Sequence, residues 1–310
     1  MQKTTIGVGI GAGLVSALLI AVIVRGTPMA LLLYLLAPLP VVIVALGWNH
    51  RAGLVAVATG AVALAAALSP LRGFAYALAT ALPAWWLGYL VLLGRPSADG
   101  SGRLEWYPLG RLLVWIAFTA AASLTAVAVL STGDHAVFHA RTRAVVQNLV
   151  QVRGEGLDPA TVDVIVDALA RLVPALAAQG FALLLTLYLW AAGRIVRLSG
   201  RLPRPWPDLP ATVMPRRTLG LLALGLVLAV VGGFPGVFGT ALLGALGTAF
   251  ALQGLAGMHD RTRGRPGRGV MLFGLYLVVF LSQGLALAVL ALFGLAETAF
   301  GLRRGVPQPT

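Results

Sequence analysis

The 310-residue chain contains no cysteine, a single lysine (Lys3) and only ten acidic residues. Without cysteine there are no disulfides, thiol nucleophiles or cysteine-based metal sites, and the redox compartment is left open. Charged residues make up 11% of the chain, under half of the roughly 25% usual in a soluble domain. No acid falls in the middle of a long apolar stretch; Glu297 stands at the edge of the last one. This argues against a proton or sodium relay built on intramembrane carboxylates. The chain also shows no Ser-His-Asp arrangement, no carboxylate pair and no phosphate-binding loop. The sequence therefore reads as non-enzymatic, without a cofactor.

What the chain has instead is apolar length. Hydrophobic residues make up 59% and mean hydropathy is +0.90, too much apolar surface for a soluble fold of this size to hide. Stretches of about 17–25 apolar residues alternate with short linkers rich in Arg, Gly and Pro, and a hydrocarbon core roughly 30 Å thick takes about 20 residues of helix. The pattern predicts an all-α fold: a polytopic transmembrane helical bundle of about nine spans, with eight as the alternative. The expected spans are 6–24, 29–46, 52–68, 74–93, 111–130, 172–193, two within 218–258 separated at Gly232-Gly233-Phe234-Pro235-Gly236, and 270–295. Pro and Gly together supply that separation. The first apolar run is too long for an ordinary signal peptide and reads as a retained span.

Net charge is +13, with 22 of the 23 basic residues arginine. In a membrane protein such an excess marks the cytoplasmic loops and needs no nucleic acid; it suits anionic headgroups at that face. With the N-terminus inside, Lys3, Arg51, Arg95, Arg103, Arg111, Arg194, Arg197, Arg201, Arg204, Arg216, Arg217, Arg261, Arg263, Arg265 and Arg268 fall inside. Arg25, Arg72, Arg141, Arg143, Arg153, Arg171, Arg303 and Arg304 fall outside. Nine spans thus place Arg303-Arg304 against the rule.

The stretch 131–171 is too polar to span and is amphipathic. Phe138, Val145, Leu149 and Val152 keep helical spacing. After Asp158-Pro159, a helix start signal, so do Val162, Ile165, Val166, Leu169 and Leu172. The reading is an interfacial helical hairpin on the outer face that feeds into the sixth span, or a lid over an outward cavity. Asp167 and Arg171 have the spacing of a helical ion pair. The chain divides into a half at 1–193 and a half at 194–310, the second opening with an Arg/Pro-rich inner loop.

Gly7-Val8-Gly9-Ile10-Gly11-Ala12 matches a dinucleotide fingerprint, but no strand precedes it and a spanning helix follows. Small residues four apart serve close helix approach in lipid. Gly9, Ala12, Gly13, Ser16 and Ala17 form one such face, suited to intramolecular packing or to docking a partner; Ala52, Ala56 and Gly60 repeat the device. Asp134, His135 and His139 have metal-like spacing without a further ligand, and read as a solvated helix start. Trp85-Trp86, Trp106-Tyr107 and Trp206 read as interfacial anchors, with Trp85-Trp86 also a stacking candidate. Gln179, Gln253 and Gln283 are the polar groups that would line a solute cavity or bond between helices, because an amide in hydrocarbon must find partners.

Tyr34-Leu35-Leu36-Ala37-Pro38-Leu39-Pro40, Leu82-Pro83-Ala84-Trp85-Trp86-Leu87-Gly88-Tyr89, Gln253-Gly254-Leu255-Ala256, and Leu292-Phe293-Gly294-Leu295-Ala296-Glu297-Thr298 with Arg303-Arg304 resemble the YybS-like family of predicted bacterial membrane proteins. That resemblance implies a multi-pass protein of the bacterial plasma (inner) membrane and carries no catalytic residues over. The first half is similar to substrate-binding S components of energy-coupling-factor transporters. This likeness implies a transport-related subunit that binds a small solute and docks an ATPase or coupling module through Ala12, Gly13, Ser16 and Ala17. The alternative reading is a membrane scaffold or assembly factor that uses its Arg-rich cytoplasmic face.

Overall fold

A computed structural model describes residues 3–97, 102–151, 158–282 and 284–303. Val152, Arg153, Gln283 and Arg304, named above, lie outside the described residues. Helix α1 (Lys3–Ala21) runs into a 3₁₀ turn, Val22–Arg25, stopped by Gly26 at φ 64°. Thr27 then caps α2 (Pro28–Leu36), accepting from the Ala30 amide, and Pro38 opens α3 (Pro38–Gly47). A proline lacks the amide that a continuous helix needs, so one apolar run becomes two helices in series. Asn49 caps α4 (His50–Ala67) and Ser69 caps α5 (Pro70–Tyr76). One turn of π-helix, Ala77–Ala81, follows before α6 (Leu82–Val91). It absorbs the amide that Pro83 removes.

The polar loop after α6 holds a feature the helical pattern did not predict, a short antiparallel pair of β1 (Gly94–Pro96) and β2 (Leu104–Trp106). Then come α7 (Leu109–Thr132), α8 (His135–Gln151), α9 (Pro159–Leu198), α10 (Thr218–Val231), α11 (Gly233–Arg261), α12 (Arg268–Leu281) and α13 (Leu285–Phe300). Among the described residues, seven segments are long and apolar enough to cross a membrane, or eight if the bent α12–α13 pair counts as one. The seven are α1 with its 3₁₀ turn, α2–α3, α4, α5–α6, α7, α9 and α11.

Contacts assign the ends of the bundle. Arg201 reaches the Gly47 carbonyl and Arg204 the Val91 carbonyl, so the ends of α3, α6 and α9 lie together. A Cβ on Gly9 would meet Ala52 and one on Gly13 would meet Ala56, so α1 runs parallel to α4 and Lys3 belongs to that same arginine-rich end. At the other end Phe234 packs edge-on to His135, ring centroids 5.8 Å apart, and against Phe138. The 14-residue α10 therefore links the two ends, although it is shorter than the roughly 20 residues of an ordinary span.

The expected last span, 270–295, is corrected. The chain turns by 120° between α12 and α13. Gly284, at φ 112°, takes a left-handed conformation that ordinary residues resist, and the Ser282 hydroxyl accepts from the Ala286 amide to start the second helix. Arg303 then donates to the Pro210 carbonyl at 2.7 Å, so the pair begins and ends at the arginine-rich end. This places Arg303 with the other arginines, on the side opposite to the one that nine spans assign it.

Among the described residues α8 packs against the first turns of α9, as the hairpin reading expects, and this second arm is continuous with the sixth span in the 40-residue α9. Two details differ. Val146, Val166 and Ala170 make its buried seam, while Val145 and Leu149 are exposed. Asp167 pairs with Arg143 of the facing helix (2.7 Å), as does Asp163 (2.8 Å), and not with Arg171. A planar guanidinium that spans two carboxylates across the hairpin is a better match than a pair along one exposed helix.

The largest apolar core runs from Leu87 through Ala117, Ala182 and Leu242 to Phe250, drawing on both sides of the boundary expected at 193. A second lies between α1, α3 and α4 around Val41, Ala56 and Leu64. Close approach holds the last helix: a side chain on Gly254 or Gly294 would collide with the backbone carbonyls of Leu290 and Phe250.

Candidate functional site at the arginine-rich end

Helices α3, α6 and α9 end at this face, presenting the last carbonyls and the negative pole of the helix dipole. The segment between α9 and α10, residues 199–217, lies across them as a strap. Arg201 donates Nε to the Gly47 carbonyl (3.3 Å) at the end of α3 and sits 4.3 Å over the Trp48 ring. Arg204, only 8% exposed, donates Nη1 to the Val91 carbonyl (3.0 Å) at the end of α6. Burial pulls its guanidinium below its usual pKa, yet arginine stays charged throughout the physiological range. Arg194 and Arg197 both stand over one ring, Trp206, at 5.5 and 5.3 Å from its centroid. Arg263 bridges Asp208 of the strap and Asp260 of α11, which raises its pKa.

The far end of the strap meets a buried polar junction. Gln253, fully buried, accepts through Oε1 from the Met214 amide (2.9 Å) and the Thr298 hydroxyl (3.2 Å). Its Nε2 donates to the Gly294 carbonyl (3.1 Å). Beside it the Glu297 carboxylate, 1% exposed, pairs with Arg261 and with Arg303 (2.9 Å). Arg303 also donates to the Gln253 and Pro210 carbonyls. Gly257 leaves the space: a Cβ there would lie 2.7 Å from Glu297 Oε1. The junction ties the strap, α11 and α13 into one unit and closes one buried negative charge with two positive ones.

Of the glutamines read as cavity-lining, Gln253 is thus satisfied inside the protein, and Gln283 lies outside the described residues. Gln179 is half-buried, and its carbonyl accepts from the Thr248 hydroxyl (3.1 Å). Neither Gln179 nor Gln253 lines the open groove of about 670 Å³ that the structure shows near the opposite end. Phe74, Leu78, Ala126, Leu228, Phe234 and Phe238 are among its lining residues, and it is almost wholly apolar.

The small-residue face of α1 is used inside the chain. Gly9, Gly13, Ser16 and Ala17 are buried and Ala12 is half-buried against α4. The Ser16 hydroxyl bonds to the Ala37 carbonyl and the Tyr76 hydroxyl, both at 2.6 Å. Trp85 donates its indole N–H to the His50 carbonyl (2.8 Å). Trp86 continues an aromatic series through Trp115, Phe118 and Phe238. His135 and His139 have ring centroids 6.3 Å apart. Among the described residues no group of three or more His, Asp or Glu could hold a metal ion.

Sequence reading missed Glu297 and Arg303 as partners, because Glu297 looked peripheral and Arg303 fell on the wrong side. The available signal was an acid, an amide and an arginine set in otherwise apolar or small surroundings, within two of the four stretches that carried the resemblance.

The family model described as "Predicted membrane protein (DUF2232)" matches residues 14–298, and the chain belongs to that family. No curated protein and no solved structure matches it.

Proposed function

We propose that this multi-pass member of the family is a non-catalytic membrane platform. In this reading its arginine-rich end faces the cytoplasm of a bacterium, with the N-terminus on that side, and docks an acidic surface of a partner protein. One observation carries the reading. The strap is pinned to the ends of α3 and α6 by Arg201 and Arg204 and to Gln253 within α11 by Met214, so its outward arginines, Arg216 and Arg217 among them, are presented on a fixed frame. Preorganised charge favours recognition because little side-chain or loop freedom is lost on binding. The buried ionisable groups Glu297, Arg303 and Arg204 are committed to contacts within the fold, which supports a structural over a chemical role.

The test is capture from native membranes in mild detergent. Arg216→Gln/Arg217→Gln is expected to release a protein that the unaltered chain retains, with the bundle still folded. Retention unchanged by this double substitution would sink the docking reading.

A second reading, a transport-related subunit that depends on an ATPase or coupling module for energy, is favoured by the lateral groove. Its lining suits an apolar solute rather than the polar one that the glutamines suggested. It also keeps the likeness of the first half to S components. Co-purification of an ATPase, with loss of a small-molecule adduct in Phe238→Ala, would support it.

A further inference from the structure

We propose that Arg194, Arg197 and Trp206 form a headgroup site for an anionic phospholipid at the arginine-rich end. The inference is independent of partner docking, which rests on Arg216 and Arg217.

The arginines of this face divide by what they touch. Arg204, Arg261, Arg263 and Arg303 are taken up by carbonyls or acids of the chain. Arg194 and Arg197 have no acid within ion-pair distance among the described residues, and their common contact is the face of Trp206. Two like charges are thereby held over one ring. Each guanidinium sits near the ring, and no hydrogen bond or ion pair within the described residues uses its N–H groups. An anion that bridges the two edges relieves their repulsion and accepts the free hydrogen bonds, and a phosphate diester has the matching geometry. Pro205 and Pro207 flank the tryptophan and restrict its backbone. Arg201, over Trp48, adds a third cation at the start of the same strap.

A lipid is favoured over a free anion by the surface next to the site. On α9, Leu183, Leu187 and Trp190 are 42, 48 and 52% exposed. They precede Arg194 on the same helical face and offer an apolar track for acyl chains on the membrane side of the phosphate. A soluble anion would make no use of that track.

The experiment is native mass spectrometry of the full chain. Phosphatidylglycerol and phosphatidylcholine with the same acyl chains are added at equal concentration. Phosphatidylglycerol should be retained preferentially, and Arg194→Gln/Arg197→Gln should lower its occupancy about tenfold. Arg216→Gln/Arg217→Gln, the same charge change at the same end, should leave it within about twofold. Arg194→Lys/Arg197→Lys keeps the charge but loses the flat stacked fork, and should show reduced retention in a chain whose folding is not in question. Equal retention of both lipids, or equal loss in both glutamine variants, overturns the site and leaves only diffuse charge. Displacement of the lipid by excess inorganic phosphate, with acyl chains making no difference, overturns the lipid assignment.

Discussion

The Gln253 side-chain oxygen accepts the Met214 backbone amide at 2.9 Å, joining a residue in the middle of an apolar helix to the strap that crosses the bundle's arginine-rich end. The same amide group holds Gly294 and Thr298 of the last helix. One side chain thus sets the position of two segments that are distant in sequence.

Replacing Gln253 by leucine should therefore cost more than an ordinary surface change. It leaves the Met214 amide buried without a partner, at a cost of about 1–3 kcal/mol, while the Gly294 carbonyl keeps the Thr298 hydroxyl at 3.0 Å. The expected result is a clear fall in thermal midpoint in detergent. Faster proteolysis within the strap should accompany it.

Glu297→Gln should be strongly destabilising, on the order of 3–5 kcal/mol, because it leaves Arg303 buried with its countercharge gone. Glu297→Gln combined with Arg303→Leu should cost less than the two single changes added together. A double-mutant cycle on thermal unfolding reads that coupling.

Gly13→Val should disrupt the core between α1, α3 and α4, since its new Cβ would lie 2.5 Å from the Ala56 carbonyl, whereas Gly11→Ala has no atom within 4 Å to meet. Overpacking of this kind costs about 1–3 kcal/mol or more. The pair should separate cleanly in yield of folded monomer by size-exclusion chromatography.

The hairpin should respond to acid at its second arm. The Thr161 hydroxyl and amide hold the Asp158 carboxylate below the usual carboxylate pKa, and this cap starts α9. A depressed pKa contributes stability that is complete above the unfolded value and is lost as pH falls through the folded one. Amide exchange over residues 159–166 should therefore be flat from pH 8 to 5, after correction for intrinsic rates, and rise below about pH 4. Arg143, whose pKa is raised by Asp167 and Asp163, keeps its charge across that range. Arg143→Gln should loosen the hairpin while leaving the melting midpoint of the bundle unchanged, because exposed ion pairs contribute little.

The C-terminal helix should end on the same side as the 261–268 loop. The chain has no cysteine, so Leu302→Cys, Arg265→Cys and Ala136→Cys each introduce a single thiol. A membrane-impermeant maleimide should label the first two from one side and the third from the other. Opposite labelling of Leu302→Cys and Arg265→Cys would restore a crossing last span.

The sequence by itself determined the class, most of the helices and the clustering of arginine. Those follow from local rules: apolar length against bilayer thickness, proline and glycine as breaks, and basic residues confined to linkers. The 218–258 run was legible as two helices because Gly232-Gly233 interrupts it, and α9 because the amphipathic and apolar periods join without a break. Tertiary structure alone decided that α12 and α13 fold back, because Ser282 and Gly284 are weak signals inside a run long enough to cross. It alone assigned Arg143 to Asp163 and Asp167, since the partner lies across the hairpin and not along the helix. It also decided that Gln253, Glu297 and Arg303 meet. A buried polar group declares its need for a partner in sequence, but only the packing of α11, α13 and the strap supplies one.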